Sequence, residues 1–148
     1  MSELQASCGH PVTVTIARGN EAPGARALGE RGEQSAADYL ERRGWEVLER
    51  NWRCGYGEAD IIARDPERSG APVVLVEVKT RSRRGAVPPL PEEAVDERKR
   101  ARYRDMALCY LRDHPDVDNV RFDVIAVVDE GSGRARLRHY VGAFGATL

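Results

Sequence analysis

Three charged side chains beside two short apolar segments have the types and spacing needed for chemistry. Asp60 directly precedes a pair of isoleucines, and Glu77 and Lys79 interrupt an apolar, β-branched run that begins at Val73. Both segments are too short for a typical helix and are bounded by turn residues, so each is predicted to be a strand buried on at least one face. Side chains two positions apart on a strand point to the same face, about 7 Å apart. Glu77 and Lys79 are therefore expected to share one surface.

A second carboxylate is the predicted neighbour of this surface. Burying a carboxylate or an ammonium without a partner is costly, and Asp60 is the nearest acidic residue on the preceding strand. Two carboxylates and a lysine would then converge. Mg²⁺ prefers oxygen ligands, keeps several waters and usually takes one or two protein carboxylates together with substrate phosphate. The pattern therefore indicates a divalent cation and phosphodiester hydrolysis.

A helix predicted over Ala25–Arg43 would pack on the sheet that carries these residues. Its apolar stripe contains Gly32 and Ala36, whose small size would let the helix lie close to the sheet. On a helical wheel, Glu33 falls beside Leu40 at the edge of that stripe. Two interpretations follow for Glu33: a solvated boundary residue, or an accessory acid that leans toward the site.

The remaining elements complete an αβββαβ order with a mixed sheet. The elements predicted after the first helix are strands over Trp45–Trp52, around Asp60 and around Glu77, a helix over Glu92–His114, and strands over Val120–Val128 and Leu137–Val141. Turn residues at 55–57 and 65–70 make the first three strands an antiparallel meander. Asp123 is expected to support neighbouring arginines rather than to bind metal.

Charge is unevenly distributed along the chain. The formal net charge of −1 argues mildly against a nucleic-acid partner, but nine basic and four acidic residues lie between Lys79 and Arg104. The candidate phosphate contacts in this stretch are Arg81, Arg83, Arg84 and Lys99. The loop Arg81–Pro91 is either a mobile clamp on a phosphate backbone or a solvated loop. Lys99 either reaches substrate phosphate or extends to solvent.

Length and composition indicate one globular domain. The chain has 148 residues, of which 41% are hydrophobic and 32% charged. Residues 25–148 are predicted to form this domain, and residues 1–24 a disordered or loosely attached tail. No apolar run approaches the roughly eighteen residues of a membrane span, and the first twenty residues lack the pattern of a secretory signal, so we expect a cytoplasmic protein without a membrane partner. The three cysteines and three histidines are scattered, which argues against a zinc site.

Two segments carry a family resemblance. Gly57–Asp60 (Gly-Glu-Ala-Asp) and Val76–Arg81 (Val-Glu-Val-Lys-Thr-Arg) resemble the strand motifs of the PD-(D/E)xK nuclease superfamily, and in particular those of the YraN-like bacterial family of predicted endonucleases. That family is similar to archaeal Holliday junction resolvases. The resemblance runs from about Ala25 to Phe144, and it implies a restriction-endonuclease-like core. Ala59 is a departure, since the family commonly has a larger aliphatic residue there.

The resemblance implies a metal-dependent endonuclease that acts on DNA, including branched or junction DNA. Asp60 and Glu77 would bind Mg²⁺ or Mn²⁺, and the backbone carbonyl of Val78 would complete the protein ligands. Glu33 would assist through water or a second ion, while Lys79 would hold the attacking water and stabilise charge building on the phosphate. The alternative is a non-catalytic nucleic-acid or protein-binding module that keeps the fold. Symmetric cutting of a junction would require a two-fold homodimer.

Overall fold

A six-stranded mixed sheet is the centre of the fold in the computed structural model, which describes residues 11–15, 25–82, 97–130 and 133–143. The elements in chain order are β1 (Pro11–Thr15), α1 (Ala25–Arg42), β2 (Glu46–Cys54), β3 (Gly57–Arg64), β4 (Val73–Ser82), α2 (Glu97–Asp113), β5 (Val120–Asp129) and β6 (Arg134–Tyr140). The strands lie in the spatial order β1-β6-β5-β4-β3-β2. The sheet thus has β1 and β2 at its edges and β4 near its centre.

The strand pairing matches the predicted αβββαβ core. Strands β2, β3 and β4 form an antiparallel meander, and β4 pairs in parallel with β5, to which α2 connects it. Strand β6 pairs antiparallel with the other side of β5, and β1 pairs antiparallel with β6. The predicted restriction-endonuclease-like order from α1 to β5 is confirmed. Residues 92–96 of the predicted second helix lie outside the described residues.

Helices α1 and α2 cover opposite faces of the sheet. The buried residues on the α1 face include Ala36, Leu40, Ile61, Val74, Val76 and Ile125. The buried residues on the α2 face include Tyr103, Met106, Ile62, Val73, Leu75 and Phe122. Because β4 is covered on both faces, its side chains are apolar at consecutive positions instead of alternating with polar ones. The same alternation of faces puts Glu77 and Lys79 on the α2 face.

Strand β1 corrects the prediction for the N-terminal segment. Residues 1–24 were expected to be disordered or loosely attached, and that expectation is wrong for Pro11–Thr15, which pair with Arg134–Arg138 of β6. The physical reason is the alternation of Val12 and Val14 with polar or small neighbours, a pattern that suits an edge strand. The rest of the predicted tail lies outside the described residues. Within the described part of the chain, neither helix has the length and apolar character needed to cross a membrane.

Asp123 on β5 is the centre of a buried polar network. Its carboxylate accepts hydrogen bonds from Arg121 Nε at 2.8 Å, His139 Nε2 at 2.7 Å and the Gly142 backbone N–H at 3.0 Å. Burial alone would raise the pKa of Asp123, but His139 and Arg121 outweigh burial and lower it. The prediction that Asp123 supports a neighbouring arginine is confirmed.

Candidate active site

The candidate site lies where β3 and β4 stop pairing. Their backbone pairing runs from Arg64 with Val73 to Ile61 with Val76. Beyond that point β4 continues alongside β5 to Ser82. Oδ2 of Asp60 instead accepts the backbone N–H of Val78 at 2.7 Å. The Asp60 carboxylate therefore takes the position that a backbone carbonyl of β3 would otherwise occupy.

The carbonyl of Val78 faces the same gap. In an extended strand the N–H and C=O of one residue point toward the same neighbouring strand. Because the N–H of Val78 points to Asp60, its carbonyl is directed to the side from which β3 has separated. The gap between β3 and β4 thus presents a carboxylate and a backbone carbonyl, both oxygen donors.

An irregularity in β2 and β3 accompanies the placement of Asp60. The register of the two strands sets Asn51 opposite Asp60, yet Asn51 has a φ of 54° and the two residues do not pair. Asparagine enters this left-handed region more readily than most residues. Ala59 and Ile62 both pack on the α2 face although they are three positions apart, so the side-chain alternation slips between them. This slip turns Asp60 away from the α2 face and toward the gap.

Close contact between α1 and β4 brings Glu33 to the gap. A Cβ atom added to Gly32 would lie 1.9 Å from Oγ1 of Thr80, so only glycine permits this approach. The next residue, Glu33, is half-buried and within hydrogen-bonding reach of the Asp60 carboxylate. The predicted close packing at Gly32 is confirmed, and Glu33 leans toward the sheet instead of into solvent.

Glu33 and Asp60 are destabilised as anions. Burial raises the pKa of Glu33, and repulsion from Asp60 raises it further. Burial also raises the pKa of Asp60; the Val78 N–H opposes this effect, and repulsion from Glu77 adds to it. Half-buried carboxylates whose anionic forms are disfavoured by burial and by neighbouring negative charges favour a bound proton or a bound cation.

Glu77 is held on the opposite side of β4 from Glu33. Its Oε1 lies 2.9 Å from Nζ of Lys79, and its Oε2 accepts a 2.6 Å hydrogen bond from the hydroxyl of Tyr103 on α2. Burial alone would raise the pKa of Glu77, but Tyr103 and Lys79 together outweigh burial and lower it. Glu77 is therefore an anion that the surrounding donors stabilise.

The predicted phosphate contacts have different placements. Arg81 is exposed near the end of β4. Lys99 is half-buried on α2. Its charge helps to lower the pKa of Glu77, which agrees with a position of Lys99 on the α2 face of the sheet, near the candidate site. The prediction of a loop over Arg81–Pro91 is wrong for Arg81 and Ser82, which belong to β4 because that strand stays paired with β5 as far as Ser82. Residues 83–91, including Arg83 and Arg84, lie outside the described residues.

Two further residues at the site were not predicted. Arg50 of β2 donates to Gln34 Oε1 at 2.8 Å and lies 4.0 Å from Glu33 Oε2. Tyr103 contacts Glu77, as described above. The helical spacing of Tyr103 with Met106 could have indicated a buried tyrosine, whereas only the β2–β3 register brings Arg50 close to α1.

The oxygen donors of the gap are of the kind that Mg²⁺ and Mn²⁺ prefer. Within residues 25–82, 97–130 and 133–143, no three side chains of His, Cys, Asp or Glu are clustered closely enough to hold an ion by themselves. Mg²⁺ does not need such a cluster, since it commonly binds through one or two carboxylates and retains waters. Asp60, Glu77 and the Val78 carbonyl fit that requirement in chemical type, with Glu33 as an additional acid.

The αβββαβ order and the mixed sheet define a protein with a restriction-endonuclease-like core. The profile of the uncharacterised protein family UPF0102 matches residues 32–127. The chain belongs to this family, and the predicted YraN-like resemblance is confirmed.

Relatives match over most of their own length. A UPF0102 protein of Arthrobacter sp. (strain FB24) is 44% identical over 116 residues, covering 78% of this chain and 93% of the relative. A UPF0102 protein of Pelobacter propionicus is 45% identical over 124 residues, covering 82% of this chain and 85% of the relative. A third, from Beutenbergia cavernae, is 45% identical over 117 residues, covering 78% and 94%. The match therefore extends over nearly the whole of each relative.

Proposed function

We propose that this protein is an endonuclease that hydrolyses DNA with the help of Mg²⁺ or Mn²⁺. The observation that carries the proposal is the 2.7 Å hydrogen bond from the Val78 N–H to Asp60 at the point where β3 and β4 separate. It sets an acidic side chain and a backbone carbonyl in one gap, next to the Glu77 and Lys79 pair. That combination suits a phosphodiester whose charge must be neutralised during hydrolysis.

The acidic residues would hold the cation. Asp60, Glu77 and the Val78 carbonyl are the proposed ligands, and Glu33 would contribute through water or a second ion. When bound, the cation would supply positive charge to the scissile phosphate and make an attacking water more acidic. Burial and repulsion from neighbouring carboxylates, which raise the pKa values of Glu33 and Asp60, would be offset by that positive charge.

Lys79 would position the attacking water and stabilise the negative charge that develops on the phosphate. Its ammonium group has three donors, and one of them can serve Oε1 of Glu77 at 2.9 Å. The side chain is half exposed, so its other donors can reach a substrate at the gap. This role is electrostatic and positional, and it requires no covalent intermediate.

The basic residues around the site would hold the phosphate backbone. Arg81 near the end of β4 and Lys99 on α2 would contact phosphates, and Arg83 and Arg84 would add further contacts. Such contacts give affinity without sequence preference. Branched or junction DNA is the proposed substrate class, which would require a homodimer with paired sites for symmetric cutting. Such a substrate implies a cytoplasmic location.

A non-catalytic binding module is the second candidate function. It is favoured by the contacts that already engage both carboxylate oxygens of Glu77, Oε1 with Lys79 and Oε2 with Tyr103. A pure binder would hold DNA equally well with alanine at Lys79 and would release no product. Catalysis and binding are thus separable at this residue.

Cleavage of labelled DNA tests the proposed function. Four-way junction, flap, single-stranded and duplex substrates are incubated with wild type and Lys79→Ala in Mg²⁺, Mn²⁺ or EDTA. Arg138→Ala, an exposed arginine on β6, is the matched control for loss of one positive charge. We expect cation-dependent cutting that falls by about 10²–10³ in Lys79→Ala and persists in the control. Cutting that continues in excess EDTA, or binding without cutting in every condition, would contradict the proposal.

A further inference from the structure

Helix α2 reaches across to the candidate site through one side chain. The hydroxyl of Tyr103 donates to Oε2 of Glu77 at 2.6 Å, while Lys79 Nζ lies 2.9 Å from the other carboxylate oxygen. Both oxygens of Glu77 are thus engaged, one by a residue of its own strand and one by the helix. The orientation of the Glu77 carboxylate is therefore fixed by two different elements of the fold.

Tyr103 is itself held firmly. It is 4% exposed, and its ring centroid lies 4.8 Å from that of Phe122 on β5. The guanidinium of Arg102 lies 5.4 Å from the centre of the same ring. Close packing on the ring leaves the hydroxyl little freedom to move away from Glu77. Because the Tyr103 hydroxyl is held in place, it can fix the orientation of the Glu77 carboxylate and therefore the direction of that carboxylate's remaining lone pairs.

We infer that Tyr103 is a positioning residue that orients Glu77 for cation binding, an inference that rests on the proposed function. An ionised carboxylate offers about four lone-pair sites, so Glu77 can accept from Tyr103 and Lys79 and still present an oxygen to a cation. Carboxylates that bind metal ions are commonly hydrogen-bonded by outer partners. Loss of such a partner typically costs 10–100-fold in metal affinity or activity.

A purely structural role makes a different prediction. If the hydroxyl of Tyr103 only satisfies the hydrogen-bonding capacity of Glu77, removing it should lower the melting temperature and leave cation affinity unchanged. Stability and cation affinity are measured separately, so the two roles can be told apart. Tyr110 is the matched control, since it is a buried tyrosine of the same helix whose ring packs against Trp52 and His114 instead.

Calorimetric titration of Mn²⁺ into the full-length protein, without DNA, tests the inference. Wild type, Tyr103→Phe and Tyr110→Phe are compared, with circular dichroism and thermal melting to establish that each is folded. We expect the Kd for Mn²⁺ to rise by about 10–100-fold in Tyr103→Phe and to stay within twofold of wild type in Tyr110→Phe. An unchanged Kd in Tyr103→Phe, with normal binding by wild type, would overturn this inference alone. Failure of the wild type to bind Mn²⁺ would overturn both the inference and the proposed cation site.

Discussion

Gly32 of α1 and Thr80 of β4 are in such close contact that a Cβ atom on the glycine would lie 1.9 Å from the threonine Oγ1. This contact fixes how near α1 can come to β4. The following residue, Glu33, reaches Asp60 only because the helix lies this close. A single small residue thus links helix packing to the acidic gap.

Gly32→Ala is expected to weaken both the fold and the site. The added methyl group must push α1 away from β4, and overpacking of this kind costs about 1–3 kcal/mol. We expect a melting temperature several degrees lower and weaker Mn²⁺ binding, because Glu33 moves away from Asp60. Gly29→Ala is the control, since no atom lies within 4 Å of a Cβ at that helical position; it should raise stability by about 0.5–1 kcal/mol. Equal melting temperatures for the two variants would contradict the packing argument.

Neutralising Glu33 or Asp60 is expected to stabilise the cation-free protein at neutral pH. The folded protein raises both pKa values. The two groups therefore contribute most to the free energy of unfolding below their ordinary pKa values, and this contribution is lost as the pH rises through the raised pKa values of the folded state. Above its folded pKa, the negative charge on each group disfavours the folded state. Glu33→Gln and Asp60→Asn should therefore each raise the unfolding free energy by about 0.5–2 kcal/mol in EDTA.

In the presence of the cation, wild type is expected to have a higher unfolding free energy than Asp60→Asn, which reverses the order expected in EDTA. Wild type at 100 times its Kd for Mn²⁺ should gain about 2.7 kcal/mol, whereas Asp60→Asn should gain little. Glu46→Gln, which removes an exposed carboxylate at the start of β2 that does not act on Glu33 or Asp60, should behave as wild type in both conditions. Destabilisation of Glu33→Gln in EDTA would show that the acidic gap is not strained.

A different pH dependence is expected at Asp123. Its pKa is lowered by His139 and Arg121, so it contributes stability above its ordinary pKa of about 4, and this contribution is lost as pH falls through the folded value. Asp123→Asn removes the carboxylate that Arg121 and His139 share and leaves Arg121 paired with Asp65 alone, so it should cost about 1.5–3 kcal/mol at pH 7. Urea unfolding should show the difference from wild type narrowing below about pH 4. A difference that is constant from pH 7 to pH 3 would argue against this linkage.

Much of the fold follows from local patterns in the sequence. The β-branched run at Val73 and the isoleucines after Asp60 were enough to predict β3 and β4, because buried strands need continuous apolar side chains. The alternation of side chains then put Glu77 and Lys79 on one face, and the 2.9 Å contact between them agrees. Strand β1 was missed because the alternation of Val12 and Val14 is short and does not indicate the distant segment, Arg134–Arg138, with which it pairs.

The details of the site depend on contacts between distant parts of the chain. Tyr103 and Glu77 are separated by 26 positions in the sequence. They meet only because of where α2 lies along β4. Arg50 approaches Glu33 through the β2–β3 register and the packing of α1. The slip of side-chain alternation next to Asp60 depends on the backbone of Asn51 across the strand. None of these relationships is encoded in the periodicity of a single segment.

Arg81→Ala is expected to weaken DNA binding without abolishing the chemical step. Arg81 is exposed at the end of β4, two residues beyond Lys79, where it can contact a phosphate but cannot replace the lysine at Glu77. Loss of one phosphate contact should reduce the salt dependence of binding by about one unit of slope. Fluorescence anisotropy at several salt concentrations measures this slope, with Arg134→Ala on β6 as the control for an exposed arginine elsewhere. Identical slopes for the two variants would remove Arg81 from the proposed DNA surface.

Single-turnover cleavage of a labelled four-way junction as a function of Mn²⁺ concentration tests the central claim most directly. Asp60 is the residue that joins the separated strands to the proposed cation site, so wild type is compared with Asp60→Asn, and with Asp116→Asn as an exposed control outside the sheet. The account predicts saturable, Mn²⁺-dependent cleavage by wild type and Asp116→Asn, and a rate at least about 10²-fold lower for Asp60→Asn. Equal rates for wild type and Asp60→Asn, or no cleavage by a wild-type protein that binds the junction, would contradict it.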